Sequence, residues 1–156
     1  MSALRRKRVL NLLLGLLLAA TLCFIWGNSL LPRSESTQIS SGLFARLLPL
    51  FQALGLDMID EHMLRKLAHF GEFAVLGCEL AALFILNRGR CSQSACFAAL
   101  CALFTGAADE TIQLFSGRAA MLTDVLLDFS GALAGIALVY LLTAHRKTEQ
   151  KKRTAA

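Results

Sequence analysis

Charged residues are scarce in this chain, and they do not recur once per helical turn. Only 17% of the 156 residues are charged, whereas 56% are hydrophobic. A soluble domain of this length carries more surface charge. A solvated helix needs polar residues on every turn, but here they collect at the ends of apolar blocks. A soluble bundle with an N-terminal anchor, or a secreted bundle with a cleaved signal, therefore fits the sequence poorly.

The N-terminus lacks the features of a cleaved signal peptide. Residues 5–8 are all basic and an apolar run follows them. That run is longer than the roughly 7–15 apolar residues of a signal sequence, and no small-x-small cleavage site follows it. Leu22 directly before Cys23 also argues against lipoprotein cleavage. The segment is predicted to be an uncleaved anchor.

The cysteine pattern lacks the features of a disulfide framework or a zinc site. There are five cysteines, none in a C-x-x-C pair and none in a predicted external loop. They are predicted to be small buried hydrophobic residues, with palmitoylation of Cys91 as a weaker alternative.

Long apolar blocks dominate what is present. Crossing a bilayer core of ~30 Å takes about 20 apolar residues of helix. Four blocks reach that length, at residues 9–31, 67–86, 95–115 and 122–142. The predicted fold is all-α: a polytopic four-transmembrane-helix bundle in one domain over residues 1–156. Residues 32–66 would form an external loop and residues 143–156 a basic cytoplasmic tail.

The basic residues lie mostly on one side of the predicted membrane. If the four helices alternate, eleven of the 16 Lys and Arg residues fall at the two termini and in the loop between the second and third blocks. The remaining five are Arg33, Arg46, Arg65, Lys66 and Arg118. The positive-inside rule then places both termini in the cytoplasm of a bacterial plasma membrane. Topology and anionic lipid explain the basic ends, so nucleic acid is not an expected partner.

The loop at residues 32–66 is predicted to contain a short amphipathic helix. Residues 34–38 are polar and read as a turn after Pro32. Apolar residues then recur at helical spacing: Leu43, Phe44, Leu47, Leu48, Phe51 and Leu54. This helix could lie on the membrane surface or pack on the bundle, and Pro49 could kink it. Asp57 follows, and Asp60 and Glu61 suit the start of the second spanning helix.

Ionisable residues inside the apolar blocks fall on matching helix faces. His69, Glu72 and Glu79 form one stripe on the second helix. The third and fourth helices carry two further sets: Asp109, Glu110 and Gln113, then Asp124, Asp128, Gly131 and Gly135. The two glycines form a G-x-x-x-G motif, which we expect to pack against another helix of the same chain.

The depths of these polar groups also agree. All but Glu79 lie toward the external ends of their helices, because the second and fourth helices start outside and the third ends there. Such residues are costly in a membrane and usually mark a site, although a buried polar network that only joins the helices is the simpler alternative. For Glu79, near the middle of the membrane, the structural role is the preferred interpretation.

Several of these segments resemble the VanZ-like family. The matching residues are 65–73, 109–115, 117–118, Asp124 and 131–135, together with Asn28, Ser29 and Pro32. The family's founding member is associated with low-level teicoplanin resistance. The resemblance implies that His69, Glu72, Asp109, Glu110, Gln113, Arg118 and Asp124 are the ligand-binding residues. Glu79 and Asp128 lie outside that pattern, and Asp128 stands where relatives often have an amide.

Three functions are compatible with the sequence. The first is binding, or changing the exposure of, an outer-leaflet lipid or glycolipid. Its partners would be membrane lipids, a lipid-linked cell-wall precursor or a glycopeptide, with Arg118 and Lys66 holding a phosphate. The second is an intramembrane enzyme that works by acid–base chemistry or with a divalent metal as cofactor. Its ligands would come from His69, Glu72, Asp109, Glu110 and Asp124. The third is a small proton-coupled transporter with Glu79 as relay.

Arg118 is predicted to neutralise acids. It lies in the short loop between the third and fourth helices, and Glu110 and Asp124 are the nearest acids along the chain. A guanidinium binds carboxylates in a bidentate manner, so it would hold these two helices in register. The alternative role is to hold the phosphate of a ligand.

Overall fold

The computed structural model describes residues 2–56, 58–118 and 121–155, with side chains up to His145. Within these ranges the chain forms five helices and no strand. They are α1 Ala3–Leu30, α2 Arg33–Ala53, α3 Glu61–Arg88, α4 Ser92–Phe115 and α5 Leu122–Ala155. Asp57, expected before the second spanning helix, lies outside the described residues, as do the side chains of the basic tail.

Four of the five helices are long and apolar enough to cross a membrane. These are α1, α3, α4 and the part of α5 from Leu122 to His145. Large apolar side chains cover their outer surface; on α1, for example, Leu13, Leu16 and Leu17 are each more than half exposed. An apolar patch of this extent marks contact with lipid or another apolar partner. The prediction of a four-helix membrane protein is confirmed.

The spanning helices alternate in direction. The side-chain amides of Asn11 and Asn87 exchange hydrogen bonds of 2.8 and 3.0 Å, which joins the start of α1 to the end of α3. At the opposite end, Ser29 near the end of α1 donates to Asp109 near the end of α4. We call this second end, where α1 and α4 finish and α3 and α5 begin, the polar end.

Helices α3 and α5 pack with their backbones in contact. A Cβ atom added at Gly131 would collide with the carbonyl of Phe70, and one at Gly135 with the carbonyl of Ala74. Gly77 on α3 is equally close to the backbone of α5. The G-x-x-x-G motif therefore packs inside the chain, as expected, because only glycine allows so close an approach.

Apolar side chains from four helices fill the centre of the bundle. Phe73 and Leu76 of α3 are fully buried, and Ile25 of α1 packs with them. Helix α4 contributes small residues, Ala98 and Ala102. These small side chains let α4 lie close to the neighbouring helices.

Helix α2 is longer than the predicted amphipathic helix. It begins at Arg33, directly after Pro32, so residues 34–38 are helical and their reading as a turn was wrong. The polar side chains suit the helix: Ser40 and Ser41 donate back to carbonyls one turn earlier, and acidic Glu35 lies in the first turn, where the helix dipole favours it. Helix α2 packs against α3 but has no fully buried residue.

The helices extend beyond the apolar blocks that revealed them. Helix α1 begins at Ala3 instead of residue 9, and α5 continues to Ala155 instead of residue 142. Helix α3 begins at Glu61 because the Asp60 side chain caps it, accepting from the Met63 amide at 2.7 Å. Apolar length measures the part of a helix inside the membrane, whereas its caps determine where it ends.

The cysteines are not buried inside the bundle. Cys23, Cys91, Cys96 and Cys101 are exposed, and Cys78 is partly buried. The prediction of small buried residues was wrong in this respect. Cys23, Cys96 and Cys101 lie on spanning helices, where an exposed thiol would contact lipid as a small apolar group.

Candidate functional site

Asp109 lies at the centre of the polar end. Its side chain is fully buried. One carboxylate oxygen accepts a 2.6 Å hydrogen bond from the Ser29 hydroxyl, and the other accepts a 2.7 Å bond from the Gln113 amide. Gln113 is one helical turn from Asp109, whereas Ser29 comes from α1. These bonds fix the orientation of the carboxylate.

His69 and Asp128 complete a cluster around Asp109. One ligand atom from each of the three residues lies within 4.8 Å of the others. The three side chains come from α3, α4 and α5. Asp128 is only 2% exposed, and it makes no side-chain hydrogen bond or ion pair with any described residue. We call His69, Asp109 and Asp128 the buried triad.

Glu72 lies beside the triad without joining it. Its Oε2 atom is 3.9 Å from Nδ1 of His69, a distance too long for a hydrogen bond. Both atoms are buried, and neither has a hydrogen-bond partner among the described residues. Buried polar atoms in this condition are uncommon and call for a partner such as a ligand, an ion or a water molecule.

The other two predicted acids make local contacts. Asp124 forms a 3.5 Å ion pair with Lys66, which joins the starts of α5 and α3. Glu110 accepts a 2.9 Å hydrogen bond from the backbone amide of Met121, just before α5. A carboxylate at this position satisfies an amide at the start of a helix. Glu110 therefore connects α4 to α5.

Arg118 does not pair with the acids that were expected to bind it. Among the described residues it forms no ion pair. Its guanidinium instead approaches the carbonyls of Asn28 and Leu31, at 3.4 and 3.3 Å. These carbonyls end α1, where the helix dipole attracts a cation. The prediction that Arg118 holds Glu110 and Asp124 in register was therefore wrong.

The Arg118 charge is only partly compensated. Burial is the main influence that lowers the pKa of its guanidinium, and the nearby Arg65 guanidinium lowers it further. Asp109 and Glu110 act in the opposite direction. A single guanidinium nitrogen makes both carbonyl contacts. The rest of the group therefore has capacity for an anion.

Two cavities meet at the polar end. The polar cavity has a volume of about 210 Å³, and its lining includes Arg33, Arg65, Lys66, His69, Arg118 and Asp128. The apolar cavity has a volume of about 300 Å³, and its lining includes Phe24, Leu31, Ile39, Leu43, Leu64 and Ala68. Arg65, His69 and Arg118 line both. A charged chamber thus adjoins an apolar one.

A family model described as VanZ/LLP1 matches residues 8–143. The chain belongs to this family. The matched region contains the buried triad and both cavities, and it runs from the first turns of α1 to near the end of the spanning part of α5. No curated protein and no solved structure matches the chain.

Most of the predicted site residues of this VanZ/LLP1 member lie in one region. His69, Glu110, Gln113, Arg118 and Asp124 line the polar cavity, Glu72 lines the apolar cavity, and Asp109 lies buried behind them. Glu79 lies away from both cavities, where it accepts a 2.8 Å hydrogen bond from Thr21. That contact fits the structural role preferred for Glu79.

The sequence interpretation missed three participants. Ser29 was noticed only as part of a family segment, although it orients Asp109. Arg65 stands four residues before His69 and lines both cavities. Asp128 was set aside because it departs from the family pattern, yet it belongs to the triad. Its shared face with Asp124 was the signal that could have identified it.

Proposed function

We propose that this protein binds one phosphate-bearing lipid of the cell envelope, with the head group in the polar cavity and a hydrocarbon chain in the apolar cavity. The observation that carries the proposal is that Arg65, His69 and Arg118 line both cavities. An amphiphile needs a charged chamber and an apolar chamber in direct contact. Binding sites for such ligands combine apolar walls with a few placed polar groups.

The basic residues of the polar cavity suit a phosphate. The Nε atom of Arg65 is buried without a hydrogen-bond partner among the described residues, and Arg118 has unused donors. A guanidinium presents N–H groups in a planar fork that matches two phosphate oxygens. Arg33 and Lys66 add positive charge at the same cavity. The acids there are engaged in part, since Asp124 pairs with Lys66 and Glu110 with a backbone amide.

The apolar cavity determines which hydrocarbon chain fits more than how tightly the lipid binds. A lipid chain that leaves the bilayer for a protein cavity exchanges one apolar environment for another, so the hydrophobic effect adds little. The shape of the cavity then decides which chain fits. Ile39 and Leu43 come from α2, which has no fully buried residue. A movement of α2 away from α3 would open the cavity sideways to the surrounding lipid.

We infer from the distribution of basic residues that this site faces the outer leaflet. The cytoplasmic side is the more basic one under the positive-inside rule, and the polar end lies opposite the basic N-terminus. Lipid-linked cell-wall precursors are among the phosphate-bearing lipids in the outer leaflet of a bacterial plasma membrane. Holding such a lipid would change its exposure to a glycopeptide antibiotic, in line with the teicoplanin link that the family resemblance implies.

A binding assay with matched lipids tests the head-group contact. The protein is purified in detergent and titrated with dioctanoyl phosphatidic acid and with dioctanoyl glycerol, which lacks the phosphate. Arg65→Gln and Arg118→Gln should each weaken binding of the phosphatidic acid about tenfold or more, since a hydrogen bond to a charged group contributes ~1.5–3 kcal/mol. Arg46→Gln is the control, because Arg46 is exposed on α2 and lines neither cavity. Equal binding of the two lipids by the wild type would contradict the proposal.

A second variant tests the apolar chamber separately. Ala68 lines the apolar cavity and is exposed to it. Ala68→Trp should fill the chamber and weaken binding of dioctanoyl phosphatidic acid without removing any charge. Ala45→Trp, on the exposed surface of α2, should leave binding unchanged. The same loss in both variants would show that the cavity does not hold the chain.

A cellular measurement tests the link to glycopeptides. The gene is expressed in a susceptible Gram-positive host, and the inhibitory concentration of teicoplanin is measured. The wild type and Arg46→Gln should raise it, whereas Arg65→Gln and Arg118→Gln should not. An unchanged inhibitory concentration with the wild type would remove the glycopeptide part of the proposal and leave lipid binding to the assay with purified protein.

A further inference from the structure

Two buried carboxylates face each other beside one imidazole in the interior of the bundle. The carboxylates of Asp109 and Asp128 are within 4.8 Å of one another and of a ring nitrogen of His69. No lysine or arginine pairs with either acid among the described residues. Two carboxylates at this separation repel strongly in a medium of low dielectric, unless a cation or a shared proton lies between them.

We propose that His69, Asp109 and Asp128 bind one divalent transition-metal ion at the floor of the polar cavity. The three side chains come from three helices, so the ion would join α3, α4 and α5. One imidazole nitrogen and two carboxylate oxygens suit Mn²⁺ or Zn²⁺ better than Ca²⁺, which takes oxygen ligands only. The site can form without a lipid, because its three ligands are side chains of this chain.

Asp128 is the observation that points to a ligand. Only 2% of the surface of Asp128 is exposed, and the residue lines the polar cavity. It has no hydrogen-bond or ion-pair partner among the described residues. An ionised carboxylate without a partner is very costly inside a membrane protein. A cation bound at this position would remove that cost.

Asp109 already has the orientation expected of a metal ligand. Ser29 and Gln113 each donate to one of its oxygens, which leaves further lone pairs of both oxygens for coordination. Hydrogen bonds of this kind hold ligating carboxylates in place in metal sites. His69 and Asp128 also line the polar cavity, so the remaining coordination positions of the ion would face it.

The predicted metal ligands differ from this set. Glu110 is bound to the Met121 amide and Asp124 to Lys66, so neither is free to coordinate beside Asp109. Glu72 lies 3.9 Å from His69 and is not part of the cluster. Asp128 takes the place that these acids were expected to fill.

A titration with Mn²⁺ alone tests the site. The full chain is purified in detergent, stripped with a chelator and titrated with Mn²⁺, and the electron paramagnetic resonance signal of free Mn²⁺ reports binding. We expect one site per chain, weakened at least ~100-fold by Asp109→Asn or Asp128→Asn, because loss of even an outer partner of a metal ligand costs 10–100-fold. Mn²⁺ is preferred as the probe because the five free cysteines would bind Zn²⁺.

Two controls distinguish loss of the metal site from general damage to the protein. Glu79→Gln removes an intramembrane acid far from the triad and should leave Mn²⁺ affinity unchanged. The second control is a measurement on the wild type alone, so it does not depend on a variant folding. Wild-type protein with bound Mn²⁺ should show the spin coupling of one imidazole nitrogen. The metal site would be overturned by any of three results: no Mn²⁺ binding by the wild type, wild-type Mn²⁺ affinity in both Asp109→Asn and Asp128→Asn, or absence of nitrogen coupling. None of these results bears on the phosphatidic acid assay, which depends on Arg65 and Arg118.

Discussion

Asp109 is held by hydrogen bonds to both of its carboxylate oxygens. The bond from Ser29 is the one that crosses between helices, since Ser29 is near the end of α1 and Gln113 is on the same helix as Asp109. A single hydroxyl on α1 therefore controls the direction of a carboxylate on α4. A serine at this place is a positioning residue for the buried triad.

Ser29→Ala should weaken Mn²⁺ binding by ~10–100-fold while leaving the protein folded, as expected for loss of an outer partner of a metal ligand. The measurement is the same titration that defines the metal site. Ser130→Ala is the matched control, because the Ser130 hydroxyl is exposed and bonds only a carbonyl of its own helix. Unchanged affinity in Ser29→Ala would show that Gln113 alone orients Asp109.

Glu79 is an intramembrane acid with a structural partner. The hydroxyl of Thr21 on α1 donates to one oxygen at 2.8 Å, and the other oxygen has no partner among the described residues. This contact lies away from both cavities and joins α1 to α3. Its contribution should appear in stability and not in ligand binding.

Thr21→Val should lower the free energy of unfolding by about 0.6 kcal/mol, the average for an interhelical hydrogen bond in a membrane protein. Thermal unfolding in detergent, followed by fluorescence of the single tryptophan, measures it. Thr105→Val, whose hydroxyl bonds only the Cys101 carbonyl on α4, should change stability less. A loss of lipid or Mn²⁺ binding in Thr21→Val would assign Glu79 a functional role instead.

At the scale of the elements, the contact between α3 and α5 fixes the geometry of the site. Gly131 meets the carbonyl of Phe70, the residue directly after His69. Gly131 also lies three residues after Asp128, on the same face of α5. The closeness of these two backbones therefore sets the separation of two members of the buried triad.

Gly131→Ala should push α5 away from α3, lower the thermal unfolding temperature and weaken Mn²⁺ binding together. The added methyl group would meet backbone atoms, which cannot move aside as a flexible side chain can. Gly71→Ala on α3 is the control, because a Cβ there meets nothing within 4 Å and alanine is the better helix former. A wild-type unfolding temperature in Gly131→Ala would mean that α3 and α5 are not in backbone contact at Gly131.

The start of helix α2 was harder to predict from sequence than the spanning helices were. Polar residues 34–38 were interpreted as a turn because Ser and Thr side chains compete for backbone hydrogen bonds in short segments. Within the helix, Ser40 donates to the Ser36 carbonyl, and the Ser41 hydroxyl lies within hydrogen-bond distance of both the Thr37 carbonyl and, at 2.8 Å, the Glu61 carboxylate of α3. The contact with α3 favours the helix over a turn, and a local pattern does not reveal that contact.

At the scale of the whole molecule, the direction of insertion follows from the basic residues. The two termini and the loop between α3 and α4 lie at the same end of the bundle and hold eleven of the 16 Lys and Arg residues. Of the other five, Arg33, Arg65, Lys66 and Arg118 line the polar cavity at the polar end, and Arg46 lies on α2. Under the positive-inside rule we therefore expect both termini to face the cytoplasm and the two cavities to face outward.

Reporter fusions measure this orientation. Fusions truncated after residue 40 should be active on the external side, and fusions after residue 150 on the cytoplasmic side. The expectation follows from the basic asymmetry and from four spanning helices, which return the chain to its starting side. An external C-terminus would contradict the topology, and with it the outer-leaflet position of the proposed lipid site.

The sequence by itself determined the number of spanning helices and the end at which the polar residues collect. Both depend on local properties: the length of an apolar block, and the position of a residue along its own helix. His69 lies in the first turns of α3, Asp109 in the last turns of α4 and Asp124 in the first turn of α5, and these positions needed no knowledge of packing.

Only the tertiary structure decided which polar groups meet. The partner of a side chain depends on the rotation of each helix about its axis, and here backbone contact at Gly131 and Gly135 sets that rotation for α3 and α5. Asp128 consequently joins His69 and Asp109, whereas Asp124, one turn away on the same face, pairs with Lys66. Arg118 likewise binds the carbonyls at the end of α1, 87 and 90 residues away along the chain, instead of the nearer acids. Such contacts between distant segments are absent from any local pattern, because they arise only when the helices pack.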